Sequence, residues 1–321
     1  MPSYMRGSRG PEVKQLQTKL QQLRYYTGPI DGDFGGGTES AVKAFQRASA
    51  LVVDGCVGAA TWSKLMGEGQ PLALPAIAQA PLAERCLALT GTFETSSAPP
   101  DCFAGLSGNF DGQGISLGVC QWNLGQGSLQ VLLKDMVDKN AAIVDGIFHD
   151  YAAEFRKMLA ASREEQLEWA NSIQNQRHQI GEPWLGLLRT LARSEQFQAI
   201  QVEHAGHLLQ TARQLCAKFK VTSQRALALM FDIAVQNGSI NEIVTGTIER
   251  DFAKIPATID RDGGEVARLV SIANRRAEAA SRQWVEDVRT RKLTIANGLG
   301  DVHGRHYDLA QQYGITLEPF A

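Results

Sequence analysis

Near the start of the chain the apolar positions recur with a helical step. Val13, Leu16, Leu20 and Leu23 lie 3, 4 and 3 residues apart, behind Pro11, which suits a first helical turn because its missing N–H is not needed there. Ala41, Val42 and Phe45 predict a second helix after Thr38, and Trp62 with Leu65 a shorter third after Thr61. Leu82, Cys86, Leu89 and Phe93 predict a helix that Pro81 opens and that closes near Glu94. Alternation then replaces the helical step. Ile115, Leu117 and Val119 interleave with Ser116, Gly118 and Cys120 and predict a strand, and Asp111-Gly112-Gln113-Gly114 before it predicts a hairpin turn. Helical spacing resumes at Leu129, Leu132, Leu133, Met136 and Val137 and continues to about residue 290. Ala226 to Val235 is apolar on every side except Asp232, which predicts a buried central helix whose acid is either paired internally or in contact with a substrate.

Residues 68–81 carry glycine, alanine and three prolines without any period and read as a linker between a small domain, 1–67, and a large one, 82–321. The 32 Lys and Arg against 34 Asp and Glu leave a net charge of −2, so no basic field points to nucleic acid. The charge is uneven. The small domain holds 8 basic and 5 acidic residues, a balance that an acidic polymer would attract. The five cysteines form neither a CxxC pair nor a disulfide framework, and reduced thiols are expected, with a Cys86–Cys102 bridge the alternative.

An internal echo ties the small domain together. Ile30-Asp31-Gly32, Gly35 and Thr38 return as Val53-Asp54-Gly55, Gly58 and Thr61, each displaced by 23 residues. Asp-Gly makes a turn, and each threonine is placed to cap the helix that follows. These residues, with Gly7, Val13-Lys14-Gln15-Leu16-Gln17, Gly28-Pro29, Val42, Phe45-Gln46 and Trp62, resemble the bacterial three-helix peptidoglycan-binding module across residues 6 to 66. The resemblance implies a non-catalytic anchor for cell-wall glycan and stem peptide.

The large domain offers acid–base chemistry. The Glu94 carboxylate, at the end of its helix, faces the negative pole of that helix, and with Phe93 and Leu89 close it is expected to be partly desolvated. Both effects suit a general acid. Asp111 at its turn, with Ser116 on the strand, supplies the second group that glycoside hydrolysis needs, a base with a hydroxyl to hold its water. A helix-end Glu94 followed by Asp111-Gly112-x-Gly114-x-Ser116 resembles the lysozyme-like superfamily, nearest its chitosanase branch, where threonine occupies the place of Ser116. The Gly125-Gln126-Gly127 stretch fits the same branch. The resemblance implies a mainly α chain: a three-helix module joined by a linker to an α+β lysozyme-like domain with a small hairpin and a buried central helix. It implies catalytic roles for Glu94, Asp111 and Ser116 and places Gln236 and Asn237 near the cleft; Gln121 and Asp232 join them as candidate substrate contacts.

Arg275, Arg276, Glu278, Arg291, His303 and His306 are sugar or stem-peptide contacts, solvated charges, or members of internal salt bridges. His204 and His207 have no third ligand near them and no His-Glu-x-x-His motif surrounds them, so neither a metal nor any other cofactor is expected. The expected partner is bacterial peptidoglycan, with no nucleic acid, no membrane insertion and a monomeric chain. The expected reaction is hydrolysis of the β-1,4 bond between N-acetylmuramic acid and N-acetylglucosamine, by inversion, with the two carboxyls about 6.5 to 9.5 Å apart. Chitosan hydrolysis, lytic transglycosylation and wall binding without catalysis are the alternatives. The start of the chain lacks an apolar export signal, so synthesis in the cytoplasm and release to the wall through a holin-type pore or a secretion machine, as for phage endolysins or delivered effectors, are expected.

Overall fold

The structure, a computed structural model, describes residues 3–320, the side chain of Asn237 excepted. It is mainly α-helical, as the spacing predicts, with two small antiparallel sheets where one hairpin is expected. The chain through Pro99 together with His207 onward forms one compact unit, and Pro100–Gly206 forms another.

The first unit begins with α1 (Pro11–Gln22), α2 (Gly36–Ala48) and α3 (Ala59–Met66), which close on a core of Val13, Leu16, Leu20, Phe34, Val42, Phe45 and Trp62. Leu23 departs from the expected stripe. It lies just past α1 and is exposed. The threonines depart as well: Gly35 and Gly58 occupy the N-caps, neither makes a side-chain cap bond, and Thr38 and Thr61 sit inside their helices. Their hydroxyls instead receive the amides of two buried glutamines. Gln17 Nε2 donates to Asp31 Oδ1 at 2.7 Å and the Asp33 carbonyl at 3.0 Å, while Gln17 Oε1 accepts the Gly32 N–H at 2.8 Å. Gln46 repeats the set on Asp54, the Cys56 carbonyl and the Gly55 N–H, at 2.8, 2.8 and 2.9 Å. One amide per repeat therefore clamps each Asp-Gly loop. Gly32 and Gly55 hold φ of 81° and 77°, where a side chain would be strained.

After α3 the chain stays packed. Leu72 lies against the three-helix core, the Tyr4 hydroxyl donates to the Ala73 carbonyl at 3.2 Å, and Ile77 is buried in a short 3₁₀ turn. Next comes α4 (Leu82–Thr95), whose residues Cys86 to Phe93 are all buried. The unit resumes with α11 (Gly206–Phe219), α12 (Gln224–Asn237), α13 (Glu242–Phe252), α14 (Arg261–Glu278), α15 (Val285–Asn297), the hairpin β4 (Leu299–Val302) and β5 (Arg305–Asp308), and α16 (Leu309–Tyr313). Helix α12 is the expected central helix: Ala226 to Ala234 are buried, and it packs on α4 and α15. The three-helix module is held to this framework by Arg305–Glu39 at 3.7 Å, by Gln312 Nε2 on Ser3 Oγ at 2.6 Å, and by the Ala98 N–H on the Arg6 carbonyl at 2.6 Å. Burial pushes the thiols of Cys56, Cys86 and Cys216 up to about 12, so they stay protonated.

The second unit carries a three-stranded antiparallel sheet of β1 (Leu106–Ser107), β2 (Ser116–Leu117) and β3 (Trp122–Asn123), with Ser107 opposite Ser116 and Ser116 opposite Asn123. Helices α5 (Ser128–Lys139), α6 (Ala141–Phe148), α7 (Ala152–Ala160), α8 (Arg163–Ser172), α9 (Trp184–Arg193) and α10 (Glu195–His204) surround it. The β1–β2 loop is fastened from below. Asn109 accepts the Gly114 N–H at 2.7 Å and donates to Asn171 at 2.7 Å, and Gly108 packs so tightly that an added Cβ would strike the His178 carbonyl.

Candidate functional site

Glu94 is the penultimate residue of α4, and Ser96, in the left-handed conformation at φ 53°, turns the chain away behind it. The helix is buried up to Phe93, yet the Glu94 side chain is 45% exposed, so the expected desolvation does not occur at the acid itself. Burial falls on its partners. Arg291 Nη1 donates to Glu94 Oε1 at 2.5 Å, and the Arg291 side chain is only 3% exposed. Asp232, with no exposed surface, holds the other edge of that guanidinium: Nε lies 3.0 and 3.1 Å from its two oxygens and Nη2 lies 2.6 Å from Oδ1. The guanidinium also sits over the Phe93 ring at 5.1 Å, and Phe93 packs on Tyr307 at 4.9 Å.

Lys292, fully buried, reaches Asp232 Oδ2 at 3.0 Å and Gln236 Oε1 at 2.8 Å. The Thr90 hydroxyl adds a contact to Asp232 at 3.3 Å. Burial alone would raise the Asp232 pKa, but Arg291 and Lys292 outweigh it and hold it at about 2. Arg291 is pushed up in turn, its burial overcome by Asp232 and Glu94. Lys292 is drawn down, because burial and the like charge of Arg291 outweigh its attraction to Asp232. The result is a buried ionic platform whose one exposed carboxylate is Glu94. Glu94 Oε1 is engaged, and Oε2 has no hydrogen bond among the described residues.

Asp232 thus belongs to the interior, fully buried and paired with Arg291 and Lys292. Gln236 stands at the end of α12 beside Lys292; the side chain of Asn237 lies outside the described residues. Lys292 is the member that sequence reasoning missed. Its signal was present: Val288, Arg291, Lys292 and Ile295 form one helical stripe, so two cations point inward with the apolar residues.

In the second unit Asp111 is exposed on the β1–β2 loop, where its Oδ1 accepts the Gln113 N–H at 3.0 Å. Ser116 is half-buried on β2, and its Oγ accepts from Asn123 Nδ2 at 3.0 Å, so a buried amide across the sheet orients the hydroxyl. Gln121, at φ 51°, bonds the Gly118 carbonyl at 2.8 Å and Ser107 Oγ, which ties it to the sheet rim. Phe110, beside Asp111, is 69% exposed and lies against His178. His204 bonds Asp135 at 2.8 Å. Among the described residues no helix is long and apolar enough to cross a membrane.

Residues 9–65 match the family model of the peptidoglycan binding domain. A spore cortex-lytic enzyme of Bacillus cereus is 44% identical over 61 residues, which are 19% of this chain and 24% of that one. An N-acetylmuramoyl-L-alanine amidase of Mycobacterium tuberculosis is 43% identical over 56 residues, 17% of this chain and 14% of its own. The chain spans a quarter or less of the length of these curated relatives. Among solved structures, a native chitosanase from Bacillus subtilis overlaps 70% of this chain and 90% of its own at 18% identity and a TM-score of 0.41. The family match is confined to residues 9–65 and leaves the chemistry beyond them to this chain's own residues: residues 9–65 match a peptidoglycan binding domain.

Proposed function

We propose that the chain is a cell-wall glycosidase that hydrolyses the β-1,4 bond between N-acetylmuramic acid and N-acetylglucosamine in bacterial peptidoglycan, with Glu94 as general acid. The observation that carries this reading is the exposed Glu94 carboxylate on a buried Arg291–Asp232–Lys292 platform, in the same compact unit as the peptidoglycan binding domain. Buried ion pairs add little stability over apolar packing of the same volume, since desolvation costs about what the attraction returns. A fixed carboxylate is what this platform gains for the chain.

Asp232 engages two nitrogens of Arg291 and so commits most of its charge, while the third nitrogen holds Glu94 Oε1. The proton would then reside on Oε2, on the solvent side, for delivery to the leaving glycosidic oxygen. In this reading Asp111 takes the proton of the attacking water and Ser116, oriented by Asn123, holds that water. Gln121, Gln236 and Asn237 serve as sugar contacts, and Asp232 acts through Arg291. The peptidoglycan binding domain keeps the enzyme on insoluble wall and raises local substrate concentration. A monomer released to the wall through a pore or a secretion machine completes the proposal.

The test uses purified wall and the full chain. Glu94→Gln should lower release of reducing sugar ends by at least about 10²-fold, the range general acid catalysis contributes. Its co-sedimentation with wall should be unchanged. A variant that releases reducing ends at more than half the wild-type rate ends the assignment.

A further inference from the structure

A cavity of about 590 Å³ opens in the second unit, where α7, the end of α8 and the start of α9 meet. Pockets that take small ligands run from about 300 to 1,000 Å³. None of Glu94, Asp111 and Ser116 lines it. Its floor is apolar and braced: Ile180 and Trp184 are 8% and 6% exposed, and the Trp184 ring meets Trp169 edge to face at 4.9 Å and Tyr151 at 5.5 Å. Its rim is polar and open to solvent, with Glu154, Ser172, Asn175, Gln179 and Glu182 all exposed. The loop that forms much of this rim is fastened. Asn175 Oδ1 accepts the N–H groups of Arg177 and Gln179 at 2.9 and 3.0 Å, and its Nδ2 donates to Gln179 Oε1 at 2.9 Å. Gln174 accepts the Asn109 N–H at 2.7 Å and donates to the Ala170 carbonyl at 2.5 Å, which joins the cavity wall to the loop that carries Asp111.

Two carboxylates line this cavity, and both are held the same way. Glu154 Oε1 accepts from Trp169 Nε1 at 3.1 Å, and Glu182 Oε2 accepts the Gly186 N–H at 3.0 Å. Each acid spends one oxygen on the wall, and the other oxygen has no hydrogen bond among the described residues. Neither acid has an ion-pair partner among those residues, and no Lys, Arg or His lines the cavity. Two negative charges around an apolar floor suit a ligand that brings a positive charge, several donors and an apolar stem. A primary ammonium brings three donors and no acceptor, and its carbon stem can lie on Ile180 and Trp184.

We propose that this cavity is a second wall-binding site, which takes a primary ammonium group of the cell wall. The inference rests on the reading of peptidoglycan as the chain's target and adds a group that is recognised away from Glu94. The ammonium has two sources, the side-chain amine of a diamino acid in the stem peptide and a glucosamine that lacks its acetyl group.

Nitrogen–proton correlation NMR of the full-length Glu94→Gln chain, which leaves the ligands uncut, reads the site through the Trp169 indole N–H, because Glu154 accepts it. The ligands are the disaccharide-tetrapeptide with a free diamino-acid amine, the glucosamine tetramer, and the N-acetylated twin of each. At least one amine ligand should shift the Trp169 resonance and bind at least about threefold more tightly than its twin. Glu154→Gln with Glu182→Gln should weaken that ligand by about 3- to 30-fold, the range of two exposed ion pairs, and leave its twin within about twofold. Gly181→Leu fills the cavity without changing charge, since a Cβ there meets only the Ile173 carbonyl at 3.7 Å, and should abolish the shift. A shift by the muropeptide alone identifies the stem peptide; a shift by the glucosamine tetramer alone identifies the sugar amine. No Trp169 shift with either amine ligand, twins bound within about threefold of them, a loss below about threefold in the double variant, or an equal loss on the twin overturns the proposal. Failure of the glycosidase reading is distinct: the wild type would then bind the amine ligand at this cavity yet release no reducing ends from wall.

Discussion

Replacing Asp232 by asparagine keeps the shape of the side chain and removes the carboxylate that two buried cations share. Asp232 makes three contacts of 3.1 Å or less to Arg291 and one of 3.0 Å to Lys292, at zero exposure. Removing one partner of a buried ion pair costs about 3–5 kcal/mol, because the remaining charge is left uncompensated. Lys292 is left without an acid while Arg291 keeps Glu94, so Asp232→Asn should fall within that range. Its pH dependence has a definite sign. With the carboxyl held at about 2 in the folded chain against an ordinary 3.8, ionisation of Asp232 contributes about 2 kcal/mol that is fully present above pH 4 and is lost as pH falls through 2. The gap between wild type and variant should therefore narrow over that window. Urea unfolding followed by circular dichroism measures both the gap and its pH profile. Adding Lys292→Met should restore part of the loss by removing one stranded cation. A gap below about 1 kcal/mol at neutral pH, or one unchanged down to pH 2, refutes the reasoning.

In the peptidoglycan binding domain, Gln46→Leu should cost about 1–3 kcal/mol in thermal unfolding of the full chain, because the Gly55 N–H and Cys56 carbonyl lose their buried partner; no measurable change would remove the clamp from the account. Gly108→Ala should destabilise residues 100–206 by about 1–3 kcal/mol and raise their amide exchange, since the new methyl meets the His178 backbone; Gly146→Ala, on a helix with open space around it, should cost less, and the reverse order would contradict the packing. If Asp111 is the base of an inverting reaction, proton NMR of early hydrolysis shows the α anomer first, Asp111→Asn is crippled and Ser116→Ala is milder; the β anomer first would sink that assignment.

Much of the fold was legible because its causes are local. Pro11 and Pro81 start helices, the apolar steps give their buried faces, and the two Asp-Gly loops announce themselves by repetition. The threonine caps failed because Gly35 and Gly58 already start the helices, which leaves the hydroxyls to the glutamines. Gln17 and Gln46 carried a signal that was available, an amide on each apolar stripe beside Leu16 and Phe45, but which loop it serves is decided by tertiary packing.

The candidate site divides in the same way. Glu94 was legible as a helix end, and Asp232 as an acid on an apolar helix that must find a partner. That the partner would be Arg291, 59 residues away, is a long-range fact that no local pattern carries. The expectation of a desolvated Glu94 failed because burial of α4 ends at Phe93 and leaves the Glu94 side chain 45% exposed.

Mass spectrometry of fragments released from purified peptidoglycan tests the central claim most directly, since it identifies the bond that breaks. The account predicts disaccharide-peptide fragments ending in reducing N-acetylmuramic acid from the wild type, and at least about 10²-fold less of them from Glu94→Gln. Fragments cut at an amide bond, anhydro-sugar ends, reducing N-acetylglucosamine ends, or equal release by the Glu94→Gln chain would contradict it.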